Sequence, residues 1–289
     1  MQMEKEEHTV AQILTWRMEL AQPCTLEQFL RNEKNVSRRL LTKLKRQNGL
    51  WCNGKPLRSI DLVQYGDVIE LRLPEAPPLV ANAVCPVPIC LETADFVIYN
   101  KPPDMPVHPS QNHYTDTLGN CFCAAHPNLA CRPVNRLDRN TSGLCLFAKS
   151  AYAASQLQYR LQKRYYAVVQ GVIKEAGTVS APIARERESI IIRCVRADGK
   201  PAVTHYRPLR HNGKYTLLQI QLETGRTHQI RVHMAHIGHP LAGDTLYGGD
   251  TTDMNRQALH CGRLLLPSAD GSRYFTVGTP LPADMQALL

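Results

Sequence analysis

Apolar positions change their rhythm part-way along the chain. Before residue 73 they fall in short amphipathic stretches, and a strand is expected over 9–18. Thr25 followed by Gln28 is a capping-box pattern that opens a short helix reaching about Asn32. Ser37 caps a second helix expected over 38–47. At about 100° per residue, Leu40, Leu41 and Leu44 share one arc of it. Arg39, Lys43 and Arg46 share the opposite arc, flanked by Arg38 and Lys45, so one side can be buried while the other shows a basic stripe. A turn at Asn53-Gly54 and a strand through Val68-Ile69-Glu70-Leu71 complete a helix-pair-plus-hairpin module.

Beyond residue 90 the pattern becomes strand-rich. Strands are expected at 96–99, 144–148, 165–169, 189–195, 215–222 and 230–232, and the clearest helix at 151–162. The two regimes are separated by Pro74, Pro77, Pro78, Pro86 and Pro88, a density that resists regular structure. The expected organisation is therefore a small α/β module over 1–73, a linker over 74–89 and a mixed, mainly antiparallel α+β domain over 90–289.

Charge adds a partner class. The 289 residues carry a formal net charge of +9, which favours polyanions, because lysine and arginine replace counterions along a phosphate backbone. From Arg31 to Arg58 there are nine basic residues and one acid, Glu33, so the basic stripe has few neutralising neighbours. No stretch approaches the roughly 18 apolar residues of a membrane helix, and the acidic segment 1–8 lacks a signal core; a cytoplasmic protein is expected. The ten cysteines are scattered with no CxxC pair. Cys121, Cys123, His126 and Cys131 offer only a weak zinc pattern, and reduced thiols filling small core sites are the better reading. His228, His233, His236 and His239 invite a second metal reading. No GxGxxG loop supports a cofactor-dependent methyltransferase.

The densest polar cluster, Asn135 to Gly143, precedes an apolar strand and reads as a loop. Loops on a rigid scaffold are where catalytic groups collect. Asp138 has an arginine on each side within two residues, and nearby cations favour an ionised carboxylate, which can act as nucleophile or base. By itself the same pattern also describes a structural salt bridge beside a turn.

Arg136-Leu137-Asp138-Arg139-Asn140-Thr141-Ser142-Gly143 resembles the signature of the large-ribosomal-RNA type of pseudouridine synthases. The resemblance continues through Asn100-Lys101-Pro102-Pro103 and Pro106-Val107-His108-Pro109, the strand Lys163 to Val169, the stretch Leu222 to His233, then Gly238-His239-Pro240-Leu241 and Gly243 to Gly248. It implies that Asp138 is the essential carboxylate, that Tyr165 rather than Tyr166 stacks on the target base, and that Arg226 pairs with the aspartate. It further implies that Arg136 can enter the RNA stack, and that neither metal nor other cofactor takes part. Asn135 departs from the family's usual histidine, and Leu266-Pro267-Ser268 from its usual His-Pro pair. Pro23 to Leu73 resembles the S-four type of RNA-binding domain, which makes Arg38, Arg39, Lys43, Lys45 and Arg46 candidate RNA contacts. The implied protein is a monomer acting on an unpaired uridine of structured RNA, with large-subunit ribosomal RNA ahead of transfer RNA. A non-catalytic RNA-binding assembly factor is the competing class.

Overall fold

The computed structural model describes residues 10–74, 79–84, 86–110, 112–187 and 191–289. Two sheets with separate cores organise it. In the first, strand β1 (Val10–Arg17) lies antiparallel to β4 (Val68–Pro74), which pairs on its other side with the hairpin of β2 (Leu50–Cys52) and β3 (Lys55–Pro56). The hairpin turns through Asn53 and Gly54, both with positive φ, as a tight two-residue turn between right-twisted strands requires. Thr25 and Gln28 make the reciprocal capping box, Gln28 N–H donating to Thr25 Oγ1 and Thr25 N–H to Gln28 Oε1. One α-turn follows and widens into a π-helical turn over Phe29–Glu33. Helix α1 (Arg38–Arg46) starts where Ser37 Oγ accepts Leu40 N–H. Its Leu40, Leu41 and Leu44 are buried with Leu26, Phe29, Ile69 and Leu71, each such side chain contributing roughly 1.5–3 kcal/mol.

The second sheet has nine strands. They are β5 (Ile89–Glu92), β6 (Phe96–Lys101), β7 (Ser142–Ala148), β8 (Gln162–Gln170), β9 (Gly177–Ser180), β12 (Val203–His211), β13 (Tyr215–Leu222), β14 (Leu259–Pro267) and β15 (Tyr274–Gly278). The short hairpin β10 (Ile183–Arg185) and β11 (Arg193–Val195) stands apart from it. The spatial order is β9-β12-β13-β8-β14-β7-β6-β5, with β15 also paired to β14. Within it β14 and β7 run parallel and the remaining pairs antiparallel. All seven residues of β7 are buried, which is why Leu144 to Ala148 form an unbroken apolar run rather than an alternation. Helices α2 (Leu118–Ala125), α3 (Ala151–Leu157), α4 (Gln229–His236) and α5 (Ala283–Gln286) complete the unit. The α+β expectation holds: a mixed sheet with few helices.

Three expectations are corrected. The segment 230–232 lies inside helix α4, not in a strand: Ile230 and Met234 are buried and Ile237 packs beside them, the i, i+4, i+7 spacing of a helix face, which the three-residue view of Ile-Arg-Val conceals. Helix α3 ends at Leu157, and Gln162 already opens β8. The strand expected over 189–195 is confined to Arg193–Val195, residues 188–190 lying outside the described ones. Pro77 and Pro78 of the linker are also outside them, and from Leu79 to Pro88 no described residue is helical or in a strand. The two cores meet at α3, where Trp16 packs on Tyr152 with ring centroids 5.5 Å apart and Gln156 Nε2 donates to Lys34 O at 2.9 Å. Among the described residues no helix is long and apolar enough to cross a membrane.

Candidate active site

Asp138 lies on a loop tied at both ends to β7. On the way in, Val134 N–H donates to Leu146 O at 2.8 Å. The buried Asn135 extends that pairing with its side chain, accepting Leu146 N–H at 2.8 Å and donating to Leu144 O at 3.1 Å. One planar amide carries a donor and an acceptor at strand spacing, so asparagine at this position is a structural anchor. On the way out, Thr141 N–H donates to Asp138 O. Gly143 then has φ +111°, and a Cβ there would stand 2.4 Å from Cys261 O of the parallel strand β14, so the chain can pass only as glycine.

Lys101 braces the loop from beneath. It is fully buried, and its Nζ donates to Pro102 O at 2.7 Å, Met105 O at 2.8 Å and Arg139 O at 2.9 Å. Three carbonyls match the three N–H groups of an ammonium. Burial pushes its pKa down to about 7, against the pull of charges that include Asp138. Lys101→Met strips three carbonyls of their donor, that of Met105 buried and those of Pro102 and Arg139 partly so. A stability loss of about 2 kcal/mol is expected, read as a fall of roughly 4–8 °C in the melting temperature. An unchanged melting temperature would mean the loop stands without this brace.

Tyr165, Arg136, Arg231 and His228 converge with Asp138 on the cleft above the loop, with Arg226 at its rim. Tyr165 is buried on β8 and lines the cleft with Asp138. The register between β8 and β14 slips between Arg164 and Tyr165, leaving Gly262 as the extra residue, and such a bulge re-aims the side chains beside it. Tyr166 points to the opposite face, against Gly262 and the C-terminal apolar cluster. Burial raises the Tyr165 phenol well above its ordinary pKa, so it stays protonated. Arg136 is exposed and lines the same cleft, while Arg139 turns away to Asp104.

The guanidinium that meets Asp138 is that of Arg231, not Arg226. Arg231 Nη1 lies 3.3 Å from Asp138 Oδ2. Its Nε and Nη2 form a fork on Asp244, at 2.7 and 2.8 Å, and it is only 4 % exposed. Burial opposes its charge, and the hydrogen bonds and charge of Asp244 with the charge of Asp138 more than offset that, leaving its pKa raised. Arg226, on the loop before α4, is an exposed rim residue that donates from Nε to Pro201 O at 3.0 Å. Four residues separate them: Arg226 stands on the loop at the mouth, and Arg231 in the first turn of α4, inside. Sequence reasoning passed over Arg231 and Asp244. The available signal was a charge set between Ile230 and Val232, since arginine within an apolar stretch is rarely buried without a partner.

His228 precedes α4 with φ +57°. Its Nδ1 lies 2.7 Å from Tyr247 Oη and its Nε2 3.9 Å from Asp138 Oδ2. The other histidines of the metal reading have separate engagements or none: His233 with Thr204 and Ala181 O, His239 with Gln170 O, and His236 exposed. Among the described residues no group of three or more histidine, cysteine, aspartate or glutamate side chains is placed to hold a metal.

On the basic helix, Arg38, Lys43 and Arg46 line one surface groove. Lys45 is drawn off by Glu27 at 2.7 Å, and the side chain of Arg39 lies outside the described residues.

Comparison with known proteins bears on this geometry directly. Residues 95–236 match the RNA pseudouridylate synthase family, a span that holds Asp138, Tyr165 and Arg231. An uncharacterized RNA pseudouridine synthase of Bacillus subtilis, YjbO, is 39% identical over 271 residues, which are 89% of this chain and 95% of that protein. Ribosomal large subunit pseudouridine synthase D of Haemophilus influenzae is 40% identical over 227 residues, 71% of this chain and 70% of its own. The structure of human RNA pseudouridylate synthase domain containing 1 superposes with a TM-score of 0.57 at 27% identity, over 71% of this chain and 86% of that one. Likeness of that extent, spread over the sheet, the loop and the helix that build the cleft, reflects common descent, and this chain belongs to the RNA pseudouridine synthase family.

Proposed function

We propose that the protein isomerises specific uridines of large-subunit ribosomal RNA, with Asp138 as the reacting carboxylate. The observation that carries the chemistry is the half-buried Asp138 facing a cleft with Tyr165 beside it and the buried Arg231 guanidinium 3.3 Å away. The Haemophilus relative, by its name a large-subunit ribosomal enzyme, supports the choice of RNA.

Uridine becomes pseudouridine when the bond from ribose C1′ to uracil N1 breaks and one to C5 forms. Nothing is oxidised, added or lost, so the residues of the chain suffice. Asp138 either attacks C1′ or removes a proton from C2′; both routes use a charged carboxylate, and the guanidinium of Arg231 stands 3.3 Å from it. The target base leaves its stack at a cost of a few kcal/mol, least in an unpaired loop. Tyr165 offsets part of that by stacking, and Arg136 at the mouth fills the gap in the RNA. Arg226, at the rim, suits a phosphate contact.

Residues 1–73 act as the RNA-binding module, joined through 74–89 to the catalytic domain, in a cytoplasmic monomer. Arg38, Lys43 and Arg46, with Arg39 on the same helix, meet phosphates and add affinity while leaving base choice to the cleft. Ribosomal RNA from cells lacking the gene, tritiated at uracil C5, is expected to release tritium with the wild type. The triple variant Arg38→Gln/Lys43→Gln/Arg46→Gln is expected to raise KM by about tenfold or more and reduce the salt dependence of binding, with kcat unchanged. Release from transfer RNA alone would replace the substrate. An unchanged KM would remove the helix from the RNA interface.

A further inference from the structure

His228 is the member of the cleft that neither the ion pairs nor the stacking explains. Its backbone is in the left-handed region, which a residue with a side chain rarely enters and which persists where the surroundings enforce it. What is enforced is the direction of the ring. Tyr247 Oη accepts Arg193 N–H at 3.0 Å and lies 2.7 Å from His228 Nδ1. We assign the phenolic hydrogen to Nδ1, since the other contact of the oxygen is itself a donor. An Nδ1 that accepts leaves the ring hydrogen on Nε2. That hydrogen is aimed at the cleft, with Nε2 3.9 Å from Asp138 Oδ2, too long for a hydrogen bond between the two but within reach of an atom seated beside the carboxylate.

Burial favours the neutral imidazole. The charge of Asp138 works against this, that of Arg231 with it, Asp244 against it and Arg193 with it, and the net shift is downward. A neutral ring is the form that serves here, since only it can accept the Tyr247 hydroxyl at Nδ1 and still carry a hydrogen on Nε2.

We propose that His228 is a catalytic residue, donating Nε2–H as a hydrogen bond to the uracil as it departs from the ribose. This rests on the reading of Asp138 as the reacting carboxylate. When the C1′–N1 bond breaks, both its electrons go to uracil, whose negative charge spreads over N1, O2 and O4. A fixed donor lowers the energy of that anion without giving up its proton, so nothing has to be returned when C5 bonds to C1′. The role is the same whether Asp138 attacks C1′ or takes the C2′ proton.

Two variants separate this role from packing. Asparagine accepts positive φ, and its amide reaches the place of Nδ1, so His228→Asn keeps the Tyr247 contact with nothing at the place of Nε2. His228→Gln reaches the place of Nε2 with an amide N–H. In single-turnover tritium release at saturating enzyme, His228→Asn is expected to be slower by roughly 10²-fold, the scale of one oxyanion-type donor, with RNA affinity and melting temperature unchanged. His228→Gln is expected to recover about tenfold of that loss. Tyr247→Phe keeps the ring and loses the hydroxyl that sets the tautomer, and it is expected to be slowed several-fold. Wild-type rates in His228→Asn, a loss confined to RNA affinity, equal losses in both histidine variants, or a wild-type rate in Tyr247→Phe would overturn the proposal. Asp138→Asn in the same assay marks the boundary. If it is inert while His228→Asn is unimpaired, only the histidine proposal falls; if it is active, both fall.

Discussion

Asp138→Asn is expected to lower tritium release from uracil C5 by roughly 10⁴-fold or more, the scale seen when a group central to covalent or acid–base chemistry is removed, while the fold and the affinity for RNA stay as they are. The geometry explains why the two effects separate. Asp138 is half-exposed to the cleft, and its 3.3 Å contact is the longest that Arg231 makes with a carboxylate. An amide of the same shape leaves the guanidinium forked on Asp244 and no buried charge newly unpaired, so a stability change within about 1 kcal/mol is expected. Asp138→Ala, which cannot revert by deamidation, gives the same answer without that complication. Substantial residual release in either variant, with the wild type active, would move the chemistry to another group. Retained RNA binding in an inert variant would show that recognition and reaction are separable, as expected if phosphate contacts lie on the first domain and on the rim arginines.

Local signals carried the parts of the fold that local chemistry decides. Leu144 to Ala148 read as a buried strand because both faces are covered, although the strand itself begins two residues earlier, at Ser142. Helix α1 read correctly because Ser37 caps it and Leu40, Leu41 and Leu44 share an arc. Helix α4 did not, because its three apolar residues at the start alternate, and only the longer window to Ile237 reveals the helical period. The strand pairing that places Tyr165 in the cleft depends on a bulge at Gly262, which no spacing within 162–170 announces. Asp138 and Tyr165 were legible through the motifs around them. Which arginine meets Asp138 was not, since both belong to one motif and the partner is 93 residues away. Asp244, the residue that fixes Arg231, is one more step removed: its importance shows only when the buried fork is seen.

Those two arginines give the second large effect. Arg231→Met is expected to be destabilised by about 3–5 kcal/mol, because it abandons the carboxylate of Asp244, whose side chain is 1 % exposed, and an unpaired buried charge is costly. Loss of activity is expected as well, since Asp138 loses its only arginine within 4 Å among the described residues. Arg226→Met removes an exposed side chain whose guanidinium contact is one backbone carbonyl; a change below about 1 kcal/mol is expected, with a rise in KM as the main kinetic effect. Destabilisation alone does not prove a part in the reaction, so the decisive comparison is Arg231→Met combined with Asp244→Asn. Neutralising Asp244 removes the stranded charge, and replacing a buried ion pair as a unit is often close to neutral; most of the lost stability should return. Activity should not, because nothing in the double variant supplies a cation to Asp138. Recovery of both would make Arg231 a purely structural residue. Arg226→Met as the inert variant, with Arg231→Met merely unstable, would return the partnership to the arginine at the rim.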